Sequence, residues 1–216
     1  MPPIAHPEAV TLWKDKSSTA WVASYDAYDD RVRALNDAKL AKLDAFVTRE
    51  LPELVEGREP WHITRDEYVK IVDWKLTRGK NRPGLLNRAK ELKDDTVREA
   101  STLAFAKARA AKSEAEMISA LAPLTDLRGC GPATASAVMA IVDERFAFYS
   151  DEAFVVAIGS KASNYTLARY RDFLHVMTRK CEELNDKSNT LTVSRLERAL
   201  WSAASLSMAK KIVKKM

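Results

Sequence analysis

Apolar residues recur at intervals of three and four along most of the chain, which is the spacing of amphipathic helices. The alternating, β-branched pattern that is typical of strands is nearly absent. From about Asp29 to Glu50, for example, one helical face carries Val32, Leu35, Leu40, Leu43, Phe46 and Val47. The sequence therefore predicts an all-α protein with roughly nine or ten helices.

Capping signals place the ends of several of these helices. Two pairs of residues have the spacing of a capping box, Thr64 with Glu67 and Ser113 with Glu116. The first pair predicts a helix that begins after Thr64 and ends near Gly79. Further helices are predicted over about 83–92, 94–110, 132–142, 167–184 and 193–204, and another begins near Ser150. Residues 1–25 are interrupted by proline and serine, so we expect them to be irregular, with Trp13 and Trp21 as anchors.

The composition of the chain excludes several classes of protein. Hydrophobic residues make up 46% and charged residues 30% of the sequence, as in ordinary globular proteins. The longest apolar runs are too short to span a bilayer, and the N-terminus lacks the features of a secretory signal. Two cysteines and three histidines exclude a disulfide framework, a zinc finger and a four-cysteine iron–sulfur site. We expect an intracellular protein without membrane association.

The net charge of +5 is unevenly distributed along the chain. Residues 1–60 carry a net charge of −3, residues 65–112 of +6, residues 113–160 of −5 and residues 161–216 of +7. Basic segments on both sides of an acidic one could form a basic rim that holds a polyanion around a carboxylate centre. The alternative is that lysine and arginine merely solvate the helical surfaces.

The most informative segment is the tight turn Gly129-Cys130-Gly131, which leads into Pro132. Glycine permits positive φ angles and close approach of another backbone, and proline suits the first position of a helix. Small residues then follow at Ala133, Ala135 and Ala137, which allows two short helices to pack closely. The amides of such a turn and of the new helix point outward, where they can bind an anion such as phosphate.

This segment resembles the helix-hairpin-helix motif, in which Leu127, Gly129, Cys130, Gly131 and Ala135 occupy the characteristic positions. The resemblance implies a hairpin over about 118–142 that grips DNA phosphates without reading sequence. The DNA-binding residues that it implies here are Arg128, Gly129, Cys130, Gly131, Ala133 and Thr134. It also implies a monovalent cation at the carbonyl groups of Leu127 and Gly129.

Asp151 follows Gly131 by twenty residues, at the start of a predicted helix, and Phe154 lies one turn further on. This spacing is similar to that of the helix-hairpin-helix DNA glycosylases of the endonuclease III superfamily, which implies that Asp151 is catalytic. A fixed carboxylate stabilises the oxocarbenium-like transition state when the glycosidic bond of a flipped base breaks. The alternative is that Ser150, Asp151 and Glu152 simply form a well-capped helix start.

The same resemblance implies two helical lobes. Residues 1–62 pair with 152–216 in one lobe, and residues 63–151 form a helical barrel that contains the hairpin. The chain is also similar to uncharacterised eukaryotic proteins with the sequence Trp-Lys-Leu-Thr-Arg-Gly-Lys-x-Arg-Pro, here Trp74 to Pro83, and Ser-Asp-Glu-Ala, here Ser150 to Ala153.

The sequence departs from the superfamily at three places. Ala133 occupies the position of the lysine that forms a Schiff base in bifunctional members, so strand cleavage from that position is excluded. The C-terminal iron–sulfur cysteines are missing, so no cluster is expected. The loop Thr77–Pro83 replaces the glutamine-bearing loop that many members insert into DNA. We expect the cations of this region to contact DNA, namely Lys75, Arg78, Lys80 and Arg82.

Three functions are compatible with these features. The first is a monofunctional DNA glycosylase, monomeric and nuclear, that hydrolyses the bond to a damaged or unusual base. The second is a non-catalytic helix-hairpin-helix protein that binds nucleic acid. The third is a helical interaction module, which the hairpin disfavours. Trp74, Phe148 and Tyr149 are the candidate residues for stacking on a base.

Overall fold

The computed structural model describes residues 5–159, 165–185 and 191–213, with side chains as far as residue 208. Of the described residues, 74% are helical and none belongs to a strand. This confirms the predicted all-α class. Within the same ranges, no helix is long and apolar enough to cross a membrane.

The described residues form fourteen α-helices and one π-helical segment, which is more than the nine or ten helices predicted. They are α1 (Pro7–Lys14), α2 (Ser18–Asp26), α3 (Tyr28–Ala34), α4 (Ala38–Ala45), the π-helical segment (Phe46–Glu50), α5 (Leu51–Glu56), α6 (Arg65–Arg78), α7 (Leu85–Lys90), α8 (Asp94–Ala110), α9 (Glu114–Ser119), α10 (Ala122–Thr125), α11 (Pro132–Val142), α12 (Asp151–Ile158), α13 (Leu167–Leu184) and α14 (Val193–Val213).

The extra helices lie near the N-terminus, where the prediction was wrong. Pro7 occupies the first turn of α1, where the missing N–H has no hydrogen-bond partner to lose. Ser17 is the residue before α2. Both residues therefore stand at the start of a helix instead of interrupting one. The single helix predicted over 29–50 is divided instead. Asn36 has a positive φ of 54°, a conformation that ends α3 before α4 begins.

The chain forms two compact units. The first comprises residues 1–38, 144–164 and 172–216. In it, α1, α2, α3 and α12 all pack on α14. Trp21 and Trp201 are fully buried in this core, and the ring of Tyr28 lies 5.2 Å from that of Trp201. The N-terminal helices therefore pair with the C-terminal helix.

The second unit comprises residues 39–143 and 165–171. Its central helix is α6, which packs against α7, α8, α11 and the π-helical segment. Tyr68, Ile71 and Trp74 of α6 are buried, and the indole N–H of Trp74 donates to Oδ1 of the buried Asp44 at 2.7 Å.

The boundaries of the units differ from the predicted lobes. Residues 39–62, predicted to belong to the terminal lobe, lie in the second unit, because the π-helical segment packs on α6 and α5 packs on α11. Residues 144–151 lie in the first unit instead of the barrel lobe.

Candidate nucleic-acid interface

A helical hairpin lies in the second unit and consists of α10, the turn from Asp126 to Gly131, and α11. The turn is closed by a hydrogen bond from the Cys130 amide to the Leu127 carbonyl, at 2.9 Å. Gly131 is the N-cap of α11, and Pro132 occupies its first turn, as predicted. The carbonyl of Gly131 accepts from the amides of Thr134 and Ala135 at 2.9 and 3.0 Å, which fixes the direction of α11.

The two glycines of the turn have different roles. Gly129 has a φ of +87°, and a Cβ at this position would lie 3.2 Å from Cβ and Cδ of Arg88 and 3.7 Å from Leu85. The fold therefore requires glycine here, for its conformation and for close packing against α7. Gly131 has a φ of −87°, is exposed, and a Cβ there would meet nothing within 4 Å. Neither conformation nor internal packing requires glycine at position 131.

Several backbone amides at the tip of the hairpin make no hydrogen bond within the described part of the chain. Among the residues that the structure describes, the backbone N–H groups of Gly129, Gly131 and Ala133 have no protein acceptor. They lie at or beside the N-terminus of α11, an eleven-residue helix whose dipole places partial positive charge at this end. This arrangement of donors suits an anion.

Cys130 anchors the turn to the interior. Cys130 is 4% exposed, and its thiol lies next to the hydroxyl of the buried Tyr68 on α6. Burial raises the pKa of the thiol from 9.0 to about 11, against the smaller opposing effects of the Tyr68 hydroxyl and the positive charge of Lys75. The side chains of Cys130, Ala133 and Thr134, which were predicted to bind DNA, are all buried. Only their backbone atoms can contribute to an interface.

Two exposed arginines lie at the hairpin tip. Arg128 is on the turn, and its guanidinium lies 3.4 Å from the carboxylate of Glu91 in an exposed ion pair. Arg88 on α7 is exposed and lies against Gly129. Sequence reasoning missed Arg88, although the residue belongs to the basic segment 65–112. Its proximity to Gly129 depends on the packing of α7, which no local pattern reveals.

The basic loop after α6 contains both exposed and buried cations. Lys80 and Arg82 are exposed, and the Arg82 guanidinium lies over the ring of Tyr165, 4.9 Å from its centroid. Arg78, which was predicted to bind DNA, is only 4% exposed and lies 5.1 Å from the ring centroid of Trp74. Arg78 is therefore excluded from an interface. Lys75 is half-buried, and its charge acts on the Cys130 thiol.

The three aromatic residues that were candidates for base stacking are core residues. Trp74 donates to Asp44 inside the second unit, and Phe148 is buried in the first. Tyr149 is fully buried and stacks on Phe173, with ring centroids 5.6 Å apart. A base cannot reach these rings in this conformation.

Asp151 is the first residue of α12 and is partly exposed. Ser150 caps this helix, since its hydroxyl accepts from the amide of Ala153 at 3.3 Å. The rings of Tyr149 and Phe154, which flank Asp151 in sequence, pack 4.9 Å apart in the core. Asp151 belongs to the first unit and the hairpin to the second.

No protein-family model, curated protein or solved structure matches this chain. Within the described ranges, no group of three or more histidine, cysteine, aspartate or glutamate residues is placed to hold a metal ion.

Proposed function

We propose that this protein binds the phosphate backbone of DNA through its hairpin and, with Asp151, acts as a monofunctional DNA glycosylase. The observation that carries the binding is Gly131, a glycine that the fold does not need, at a tip with unpartnered amides. A missing side chain at an exposed tip leaves room for another molecule to approach the backbone.

Phosphate oxygens would accept from the N–H groups of Gly131 and Ala133, with the dipole of α11 favouring the negative charge. The exposed Arg88 and Arg128 would add charge on either side. All of these contacts go to the backbone, so the expected binding does not depend on base sequence.

In the catalytic part of the proposal, Asp151 stabilises positive charge that develops on the sugar as the N-glycosidic bond breaks. The base leaves with the bonding electrons and gains a proton, and water adds to the sugar carbon. Ala133 cannot form a Schiff base, so the reaction stops at an abasic product with an intact strand.

A non-catalytic DNA-binding protein is the second candidate. Asp151 stands in the first turn of a helix capped by Ser150, where a carboxylate is favoured by the helix dipole without any catalytic role. In that case the hairpin would bind DNA and no base would be released.

The resemblance to helix-hairpin-helix proteins adds a monovalent cation at the carbonyls of Leu127 and Gly129. The Leu127 carbonyl already accepts from Cys130, which leaves a second lone pair for a cation. In this proposal the ion would supply positive charge beside a bound phosphate.

The test of binding is Gly131→Ser. Serine is a favourable N-cap, and its hydroxyl would accept from an amide of the first turn, so stability should be kept or raised. The serine side chain also fills the open space at position 131 and occupies a backbone N–H that would otherwise donate to phosphate. We therefore expect DNA affinity to fall about tenfold, as measured by fluorescence anisotropy with a labelled duplex. Unchanged affinity would exclude the hairpin as the binding site.

Gly57→Ser is the matched control, because Gly57 has a φ of −74° and lies outside the hairpin in the same unit. It should leave DNA affinity unchanged. Base release from a panel of duplexes, each with one lesion or mismatch, then separates the two candidates. Asp151→Asn should abolish release and keep binding if the protein is a glycosylase.

A further inference from the structure

Arg82 is exposed and is held by stacking rather than by an ion pair. Its guanidinium lies over the ring of Tyr165, and within the described part of the chain it has no hydrogen bond or ion pair. Other arginines of the same unit are paired with carboxylates: Arg58 with Glu67, Arg65 with Asp66, Arg98 with Asp94 and Arg128 with Glu91.

The contact with the ring restrains the guanidinium, whose N–H donors make no hydrogen bond within the described part of the chain. The Tyr165 ring covers one face, and the N–H edge remains available to an acceptor such as phosphate. The other face can stack on a nucleobase, because unpaired bases stack on arginine planes as well as on aromatic rings. Lys80, two residues earlier, is also exposed and adds positive charge.

The position of Arg82 connects it with the hairpin. Arg82 lies three positions before the start of α7, and Leu85 and Arg88 of this helix are the residues that lie against Gly129. Arg88 is six positions after Arg82, so their backbones are at most about 20 Å apart. Both sites therefore lie within reach of one nucleic-acid strand.

We infer that Arg82, stacked on Tyr165, and Lys80 form a binding surface for an unpaired nucleotide. The base stacks on the exposed guanidinium face, and the phosphate accepts from the guanidinium edge and from the ammonium of Lys80. This surface depends on the proposed function, because the hairpin supplies the main contact with the DNA backbone. It gives the protein a preference for DNA with an unpaired base over fully paired duplex.

The experiment compares two labelled probes by fluorescence anisotropy at fixed salt: a paired duplex and the same duplex with one bulged thymine. We expect the native protein to bind the bulged probe about fivefold more tightly, because the unpaired base gains a stacking contact that a paired base lacks. Arg82→Lys keeps the charge but loses the plane, and Tyr165→Leu removes the ring beneath it. Both variants should bind the two probes equally.

Two further variants serve as controls. Tyr165→Phe keeps the ring and should keep the preference. Arg109 lies over Trp61 at 4.7 Å, so Arg109→Lys disrupts a similar stack in the same unit and should also keep the preference. Circular dichroism checks that the Tyr165→Leu variant is folded. If it is not, Arg82→Lys alone tests the surface, because Arg82 is exposed and its substitution does not disturb the core.

The outcomes separate this surface from the hairpin. Three results would overturn the inference. The native protein could bind the two probes equally, the preference for the bulged probe could survive Arg82→Lys, or Arg109→Lys could abolish that preference as well. If Gly131→Ser still weakens binding to paired duplex, the proposed function stands and only this surface is excluded. If the native protein binds neither probe, the proposed function is excluded, and the surface with it.

Discussion

Gly129 combines a left-handed backbone with close packing, and the two effects can be separated by substitution. Alanine at φ +87° costs about 1–2 kcal/mol, and its Cβ would also press on Arg88. Gly84 has a similar φ of +79° but nothing within 4 Å. In urea denaturation, we expect Gly129→Ala to lower the free energy of unfolding more than Gly84→Ala does. Equal losses would show that the contact with Arg88 costs nothing.

The buried thiol of Cys130 predicts how stability changes at alkaline pH. Its pKa is raised from 9.0 to about 11, so the folded protein keeps the thiol proton over a range in which the unfolded chain loses it. The free energy of unfolding should therefore fall between pH 9 and 11, by up to about 1.4 kcal/mol per pH unit from this group. Comparison of the native protein with Cys130→Ala by denaturation at several pH values measures this contribution. The same slope in both proteins would refute it.

The N-terminus of helix α6 is stabilised by a capping box, which the sequence predicted and the structure confirms. The Thr64 hydroxyl accepts from the Glu67 amide at 3.3 Å, and the Glu67 carboxylate accepts from the Thr64 amide at 2.7 Å. Arg58 adds two hydrogen bonds to the same carboxylate, at 2.6 and 2.8 Å. One buried carboxylate thus connects the end of the α5 region to α6.

The pH dependence of α6 follows from this carboxylate. Burial raises the pKa of Glu67, but the hydrogen bonds from Arg58 and Thr64 outweigh burial and lower it below its ordinary value of 4.5. The stability that it provides is present above pH 4.5 and is lost as the pH falls through the lowered pKa. Glu67→Gln should cost about 2 kcal/mol at pH 7 and flatten the acid side of the stability curve. If the variant loses stability equally steeply at acid pH, the loss of stability is due to other groups.

Local signals predicted the elements well where they act through the backbone. The bounds of α8, α11 and α13 match those expected, because helical periodicity and residues such as Pro132 are local features. Burial at element ends was less predictable. Arg78 lies one turn after Trp74 and is covered in the fold, whereas Arg82 stacks on Tyr165, which is distant in sequence. Contacts of this kind depend on tertiary packing, and the sequence pattern does not contain them.

At the scale of the whole molecule, the charge pattern and the fold together place cations near the hairpin. The hairpin belongs to the acidic segment 113–160, and the only lysine or arginine in the hairpin is Arg128. The basic segment 65–112 lies in the same unit, and its helix α7 brings Arg88 against Gly129. Packing of the basic segment 65–112 on the acidic one therefore places one cation, Arg88, beside the hairpin, and the basic rim around a carboxylate centre stays a prediction.

This arrangement predicts the salt dependence of DNA binding. Each phosphate contact that an arginine makes should contribute about −0.9 to the slope of log affinity against log salt concentration. Arg88→Gln should therefore make the slope shallower by about 0.9 and weaken binding similarly for every duplex sequence. Arg33→Gln is the control, since Arg33 is exposed on the first unit and paired with Asp30. Because the control removes the same charge, a change in slope that is confined to Arg88→Gln would indicate a local phosphate contact. Equal changes in both variants would indicate that net charge alone attracts DNA, without a phosphate site at the hairpin.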